Sequence, residues 1–433
     1  MRHVAAAIGA IFIAATPWVV VSCAGDKEDA PKKDAGPDGT LLNEAQPETS
    51  ADVDPGPQSP CGDRIGLSGS SPWPVLGGCP KRGNVSDGFG PKDSKVAWSV
   101  PLASGSSPVI GGDRLVWVGT NDGDVVAIGG DGLPAFSSRL AGPIRATGAV
   151  LANGNVVFGS TEGTLYGVAP GAKPSDAGAD ADLDADTDAE AGVLPAARIV
   201  FSRKIAPISG SVNVLADGTL VVPTNDGKLL GLSNDGATTK WTATTNDTAG
   251  SSPAVAQDGT LYVASSDKKL YALGSGGASK WTYDIGAAPV FSPIVGGDET
   301  IYVGTSDGKL HAVAPDGKSR WIYAAGGPIS GAPAVDAYTV YVGSEDKKLH
   351  AVAVATGAAR WQYATLGAVA TPVVDFAGIV YFGSSDARLY VVSKTGSLLF
   401  AVNARGPIKS APALSDDGLM FVTTATSVVA IGP

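Results

Sequence analysis

The chain is poor in the side chains from which catalytic and metal centres are built: three cysteines and three histidines in 433 residues. Cys23, Cys61 and Cys79 show no C-x-x-C spacing, and the only histidines beyond His3 are His311 and His350. Neither a metal-ligand cluster nor a nucleophile–histidine–acid triad can be proposed from such an inventory. Aromatic residues make up only 7%, and no stretch sustains a 3.6-residue apolar period, which leaves strands and turns as the main elements. Net charge is missing where it would steer a partner. The −11 total resides in residues 24–60, with nine acids against three lysines, and in residues 172–195, with seven against one. Arg2 apart, the remainder balances 26 basic against 26 acidic residues, so it projects no field toward nucleic acid or an anionic membrane surface. Gly129-Gly130 lacks the strand and helix that would make it a phosphate loop.

What is present is a repeat. TLYVASSDKKLYALGSGGASKW (Thr260 to Trp281) returns as TIYVGTSDGKLHAVAPDGKSRW (Thr300 to Trp321) and as TVYVGSEDKKLHAVAVATGAARW (Thr339 to Trp361). The turn acid of the unit falls at Asp122, Glu162, Asp226, Asp267, Asp307, Asp346 and Asp386, with Thr426 in an eroded last copy. Eight units follow, at a period of about 40 residues with one insertion of roughly 24 in the second. Each unit reads as four strands, illustrated by Ser251–Val255, Thr260–Ala264, Lys269–Leu273 and Lys280–Asp284. The inner strands are apolar at consecutive positions, as expected when both faces are covered.

Period and strand count predict an all-β, eight-bladed β-propeller of four-stranded antiparallel blades rather than a linear solenoid. The phase of the fourth strands supports a ring. Their aromatic positions are Trp98, Phe136, Phe201, Trp241, Trp281, Trp321, Trp361 and Phe400; the first precedes any complete unit, while the last unit stops after three strands. Residues 95–100 are therefore expected to supply the missing strand of the last blade.

The N-terminus predicts an address. Met1-Arg2-His3, an apolar run from Val4 to Val21 and the small-residue approach to Cys23 describe residues 1–22 as an export signal. An ordinary signal peptide or a spanning helix is the alternative reading, opposed by Pro17 and by the lack of a basic stop. Residues 24–60 have almost nothing to bury and are expected to be a disordered acidic tether, with a root-mean-square span of about 35 Å. Cys61 and Cys79 are expected to form a disulfide closing the segment 61–93, worth about 3 kcal/mol in the chain-entropy model; a redox pair or two metal ligands is the rival reading. The propeller is expected over 94–433. Its insert at about 172–195 contains DAGADADLDADTDAEAG (Asp176 to Gly192), whose alternating aspartates resemble the start of a calcium loop. Ala185 and Ala191 stand where its glycine and bidentate glutamate belong, so a solvated loop is expected, with weak calcium binding the alternative.

The Gly-x-x-x-Trp signature at Gly277/Trp281, Gly317/Trp321 and Gly357/Trp361, with Phe at Gly132/Phe136 and Gly396/Phe400, resembles the tryptophan-docking repeat of the PQQ-like eight-bladed propellers. PWPVLGGCPKRG resembles their opening segment, and the likeness covers about residues 72–433. WD40 repeats share the period, but the chain has no Trp-Asp dipeptide. Val20-Val21-Ser22-Cys23 resembles the lipobox of bacterial lipoproteins, which implies lipidation of Cys23. Ala24 in place of Asp then implies outer-membrane sorting, periplasmic or surface-exposed. Quinoprotein dehydrogenases of this superfamily use a vicinal cysteine pair, calcium and a catalytic aspartate, and no adjacent cysteines occur here. Relatives of the BamB type lack that site.

Two functions are thus framed: a non-catalytic envelope lipoprotein acting as a protein-interaction scaffold, in outer-membrane assembly by resemblance, or a quinoprotein-type enzyme with an unusual channel site. No cofactor and no nucleic acid are expected in the first; its partners are a membrane, through the lipid, and a protein. His311 and His350 occupy the place of Tyr166, Tyr271 and Tyr390 in sister units and are expected to be strand positions. The candidate interaction face carries Asp122, Asp226, Asp307, Glu345 and Asp346 with the blade-to-blade loops, opposite the acidic insert.

Overall fold

The computed structural model describes residues 67, 73–79, 81–86, 89–171, 195–246 and 251–432. Cys23, Cys61, the apolar run and all but the last residue of the 172–195 insert lie outside them. Among the described residues the chain forms thirty-two strands, β1 to β32 in chain order, and no helix. They compose eight antiparallel sheets of four. Blade five shows the plan: β18 (Ile294–Val295), β19 (Ile301–Gly304), β20 (Lys309–Val313) and β21 (Ser319–Ala324) pair in sequence order from channel to rim. The inner three strands are buried at nearly every residue, whereas β21 alternates exposed and half-buried positions. Consecutive apolar residues are thus used on both faces of a sheet sandwiched between neighbours, and ordinary alternation returns only at the rim.

The ring closes as its phase requires. In blade eight, β30 (Ala413–Leu414), β31 (Met420–Thr423) and β32 (Ser427–Ile431) are completed by β1 (Val96–Pro101), which pairs antiparallel with β32 from Val96 opposite Ile431 to Pro101 opposite Ser427. No blade is left with an unfilled fourth place. In blade two, β8 (Thr164–Ala169) and β9 (Arg198–Lys204) flank the insertion, so the acidic residues leave between the third and fourth strands.

The Gly-x-x-x-Trp signature works between blades rather than within one. Gly277 lies against Trp241 of the preceding blade, Gly317 against Trp281, Gly357 against Trp321 and Gly396 against Trp361. Four of these indoles also donate their N–H to the turn they dock on: Trp281 to the Pro315 carbonyl at 2.9 Å, Trp321 to Val354 at 2.7 Å, Trp361 to Lys394 at 2.9 Å and Trp98, which covers Gly132, to Gly130 at 2.8 Å. Gly317 shows why glycine is needed: its φ is +84° and an added Cβ would sit 2.9 Å from the Trp281 ring. Gly317→Ala is expected to cost about 2 kcal/mol from left-handed strain and the displaced indole, read as a lowered midpoint in calorimetry. An unchanged midpoint would mean that the docked indole contributes nothing to blade packing.

Candidate functional site

Strand order places the loop between second and third strands of every blade on one face, together with the loop that arrives from the preceding blade. Four of the arriving loops are bolted down by an isoleucine. Ile144, Ile208, Ile329 and Ile408 fill the space where Gly119, Gly159, Gly304 and Gly383 of the preceding blade lack a Cβ. Their backbone N–H groups donate to the carbonyls of Thr120, Ser160, Thr305 and Ser384 at 2.9 to 3.3 Å. The loops so fixed surround the channel mouth.

Just inside the mouth runs a belt of hydroxyls. In blades one to four the residue two places before the first strand donates its backbone N–H to the hydroxyl of its counterpart in the next blade: Ser107 to Thr147 at 3.3 Å, Thr147 to Ser211 at 3.0 Å, Ser211 to Ser252 at 2.7 Å and Ser252 to Ser292 at 2.9 Å. The belt resumes with Ala332 to Thr371 at 3.1 Å and Ala411 to Ser107 at 3.2 Å. Ala332 and Ala411 are the two counterparts without a hydroxyl. Sequence reading passed over this belt, although its signal was available in Ser252-Pro253, Ser292-Pro293, Ala332-Pro333, Thr371-Pro372 and Ala411-Pro412, spaced at the repeat period.

The far end of the channel is plugged by residues 73–79 and 81–86, which run across the innermost strands of several blades. Ile110 and Val150 donate to the carbonyls of Trp73 and Pro74; Val295, Val335 and Val374 donate to those of Lys81, Gly83 and Asn84. Lys81 pairs with Glu299 at 2.5 Å. Arg82 sits at the centre, 1% exposed, its guanidinium donating to the carbonyls of Pro253 (2.7 Å), Leu76 (3.2 Å), Ser211 (3.3 Å) and Val212 (3.3 Å). Burial pushes it down to about 9, partly offset by nearby Cys79, so it is still charged at neutral pH. Asn84 donates to Pro333 at 2.7 Å. Cys79 is buried within this plug; its expected disulfide partner Cys61 lies outside the described residues.

Between plug and mouth lies a cavity of about 840 Å³. Its floor includes Leu76, its wall the hydroxyls of Ser107, Thr147, Ser211, Ser252 and Ser292, and its rim Arg145 and Lys409. No aspartate or glutamate is among the described residues lining it.

The acids of the candidate interaction face divide into two groups. Asp226 and Asp307 each accept from a turn threonine and pair with a lysine: Thr224 and Lys228 at 2.6 Å each, Thr305 and Lys309 at 2.6 and 2.7 Å. Asp346 is committed further, accepting from Gly326 N at 3.2 Å and Lys348 N at 3.0 Å and facing His350 Nε2 at 3.1 Å. Asp122 and Glu345 are exposed, with no side-chain partner among the described residues. His311 and His350 lie buried in third strands, as expected, each ring Nδ1 meeting a tyrosine hydroxyl, Tyr283 at 3.2 Å and Tyr323 at 2.9 Å. Burial holds His311 below its ordinary value.

Comparison with known proteins agrees with this geometry. The family described as outer membrane protein assembly factor BamB matches residues 179–324 and 276–375. BamB from Moraxella catarrhalis is 16% identical with a TM-score of 0.60, over 78% of this chain and 99% of that one. Quinohemoprotein alcohol dehydrogenase from Comamonas testosteroni is 13% identical with a TM-score of 0.64, over 83% and 81%. The computationally designed Ika8 protein is 12% identical with a TM-score of 0.62, over 78% and 98%. No curated protein sequence matches. The chain forms an eight-bladed propeller of four-stranded blades, and part of it matches the BamB family model. The described residues do not fit a calcium–quinone centre. The cavity lining offers no carboxylate, no three ligating side chains gather anywhere among the described residues, and the plug fills the far end.

Proposed function

We propose that the protein is a non-catalytic envelope lipoprotein whose propeller serves as a protein-interaction scaffold in outer-membrane assembly. The BamB family match supports the assembly role, and the observation that carries the scaffold reading is the rigid mouth face. Its loops are locked by isoleucines and by backbone hydrogen bonds, and it presents Asp122 and Glu345 unpaired. Preformed loops on a stiff frame bind with little ordering cost. Cys23, lipidated, holds the chain at the membrane, since several acyl chains anchor stably where one is marginal.

Cys23→Ala is expected to move the protein into the soluble fraction of lysed cells; retention in the membrane pellet would refute the anchor. For the partner, Asp122→Lys combined with Glu345→Lys is expected to reduce crosslinked capture from native envelopes, read by mass spectrometry. Deletion of residues 176–192 is expected to leave that capture nearly unchanged. Asp307 and Asp346 are poor choices for this test, because their carboxylates hold the turns together. Loss of capture in the insert deletion, with normal capture by the charge-reversed chain, would move the interface to the opposite face.

A further inference from the structure

The belt hydroxyls are only half used. In Thr147, Ser211, Ser252 and Ser292 the oxygen accepts a backbone N–H from the neighbouring blade, and all four residues are no more than 8% exposed. Ser107 does the same for Ala411. A hydroxyl can also donate one hydrogen, whose direction is free to rotate. Other hydroxyls at the mouth spend theirs on carbonyls: Ser251 on Ala264, Ser410 on Thr423 and Ser104 on Ser106. Among the described residues the five belt hydroxyls donate to no protein acceptor, yet they line the cavity. Five consecutive blades therefore turn unspent donors toward one space.

Charge follows the same sign. Arg145 arrives in blade two and Lys409 in blade eight, on either side of the loop that enters blade one; both are exposed and neither has an ion-pair partner among the described residues. With cations at the rim, donors on the wall and no carboxylate in the lining, the cavity is matched to a ligand rich in anionic oxygen. Its volume of about 840 Å³ falls in the range of small-molecule sites.

We infer that the channel is a binding site for a small polyanion bearing several phosphate or carboxylate oxygens. Arg145 and Lys409 attract and pair with it, and the hydroxyls of Ser107, Thr147, Ser211, Ser252 and Ser292 donate to it. Asp122 and Glu345 are not among the residues that line the site.

The test is calorimetric titration of the full folded chain at low ionic strength with inorganic tripolyphosphate, with citrate, and with neutral maltotriose. The expected result is one-to-one binding of one or both anions and none of the sugar; which anion binds assigns the phosphate or the carboxylate source. Arg145→Gln with Lys409→Gln is expected to weaken binding about tenfold or more, in line with the loss of charge-assisted hydrogen bonds. Ser252→Ala with Ser292→Ala is expected to weaken it severalfold without unfolding, since alanine already stands at belt positions 332 and 411. Unaltered melting curves for both variants separate lost binding from lost structure. Three results would overturn the inference: no anion bound by the natural chain, affinity unchanged in the Arg145/Lys409 variant, or maltotriose bound as well as the anions. An acidic peptide that binds where both small anions fail would also overturn it, in favour of a macromolecular occupant.

Discussion

Removing residues 24–101 is expected to leave no soluble propeller. The deletion takes away β1, and with it the partner of β32 from Val96 to Pro101. Blade eight would then present β32 as an open edge carrying the apolar run Val428 to Ile431, which is buried when β1 is in place. An apolar, unpaired strand edge is a template for association between chains. Trp98 is lost too, and with it the indole that covers Gly132 and bonds the Gly130 carbonyl. A graded series isolates the cause. Deleting 24–55 is expected to leave the melting temperature unchanged, deleting 24–90 to lower it by removing the plug, and deleting 24–101 to yield aggregated protein by size-exclusion chromatography. A monomeric, cooperatively melting product from the longest deletion would show that ring closure by β1 is dispensable.

The second large effect is expected at Arg82. Arg82→Met removes a guanidinium that satisfies carbonyls of Pro253, Leu76, Ser211 and Val212 at one point. Buried acceptors left without donors cost about 1 to 3 kcal/mol apiece, so a total loss of about 3 kcal/mol or more is expected even after partial repacking. Arg82→Lys is expected to recover little, because one ammonium cannot reproduce a planar fork reaching several carbonyls. The measurements are calorimetric midpoint and the rate of proteolysis in residues 73–86. The pH dependence has a definite sign. Burial disfavours the charged form and lowers the group to about 9, so the native and unfolded chains carry the same proton throughout the acidic and neutral range. This contribution stays flat there, and stability rises with pH only above about 9, where the native state gives up its proton first. A midpoint shift of less than a degree or two in Arg82→Met would show that the plug is not latched at this residue.

The contrast between β1 and Arg82 shows what a sequence exposes. Trp98 was legible because it belongs to a series: seven later aromatic positions fix its phase, and a missing last strand names its place. Blade boundaries were legible for the same reason, with local exceptions of physical origin. The first strand, expected from Ser251, begins at Ala254, because Pro253 has no N–H to give the ladder and lends its carbonyl to Arg82 and Asn213. Gly317 and Trp321 were legible as a motif, but their working partners lie one blade away, which a linear spacing does not reveal. Arg82 belongs to no series. Its partners are separated from it by 129 to 171 residues, except for Leu76, and they are carbonyls that any sequence would carry. The same limit hid the belt, whose residues were visible while the direction of each hydroxyl was not.

The placement of β1 also governs the order in which the molecule can be assembled. The strand leaves the ribosome before any blade, yet its hydrogen-bonding partner β32 ends two residues before the last residue of the chain. The contact that completes the ring therefore spans nearly the whole folded body, and chain closure over such a distance is slow and entropically costly. Until it forms, the nascent protein carries two unpaired β edges at once, one at each end. The interval between release of the C-terminus and docking of Val96–Pro101 is when this protein is most exposed to association with other chains and has most need of a chaperone.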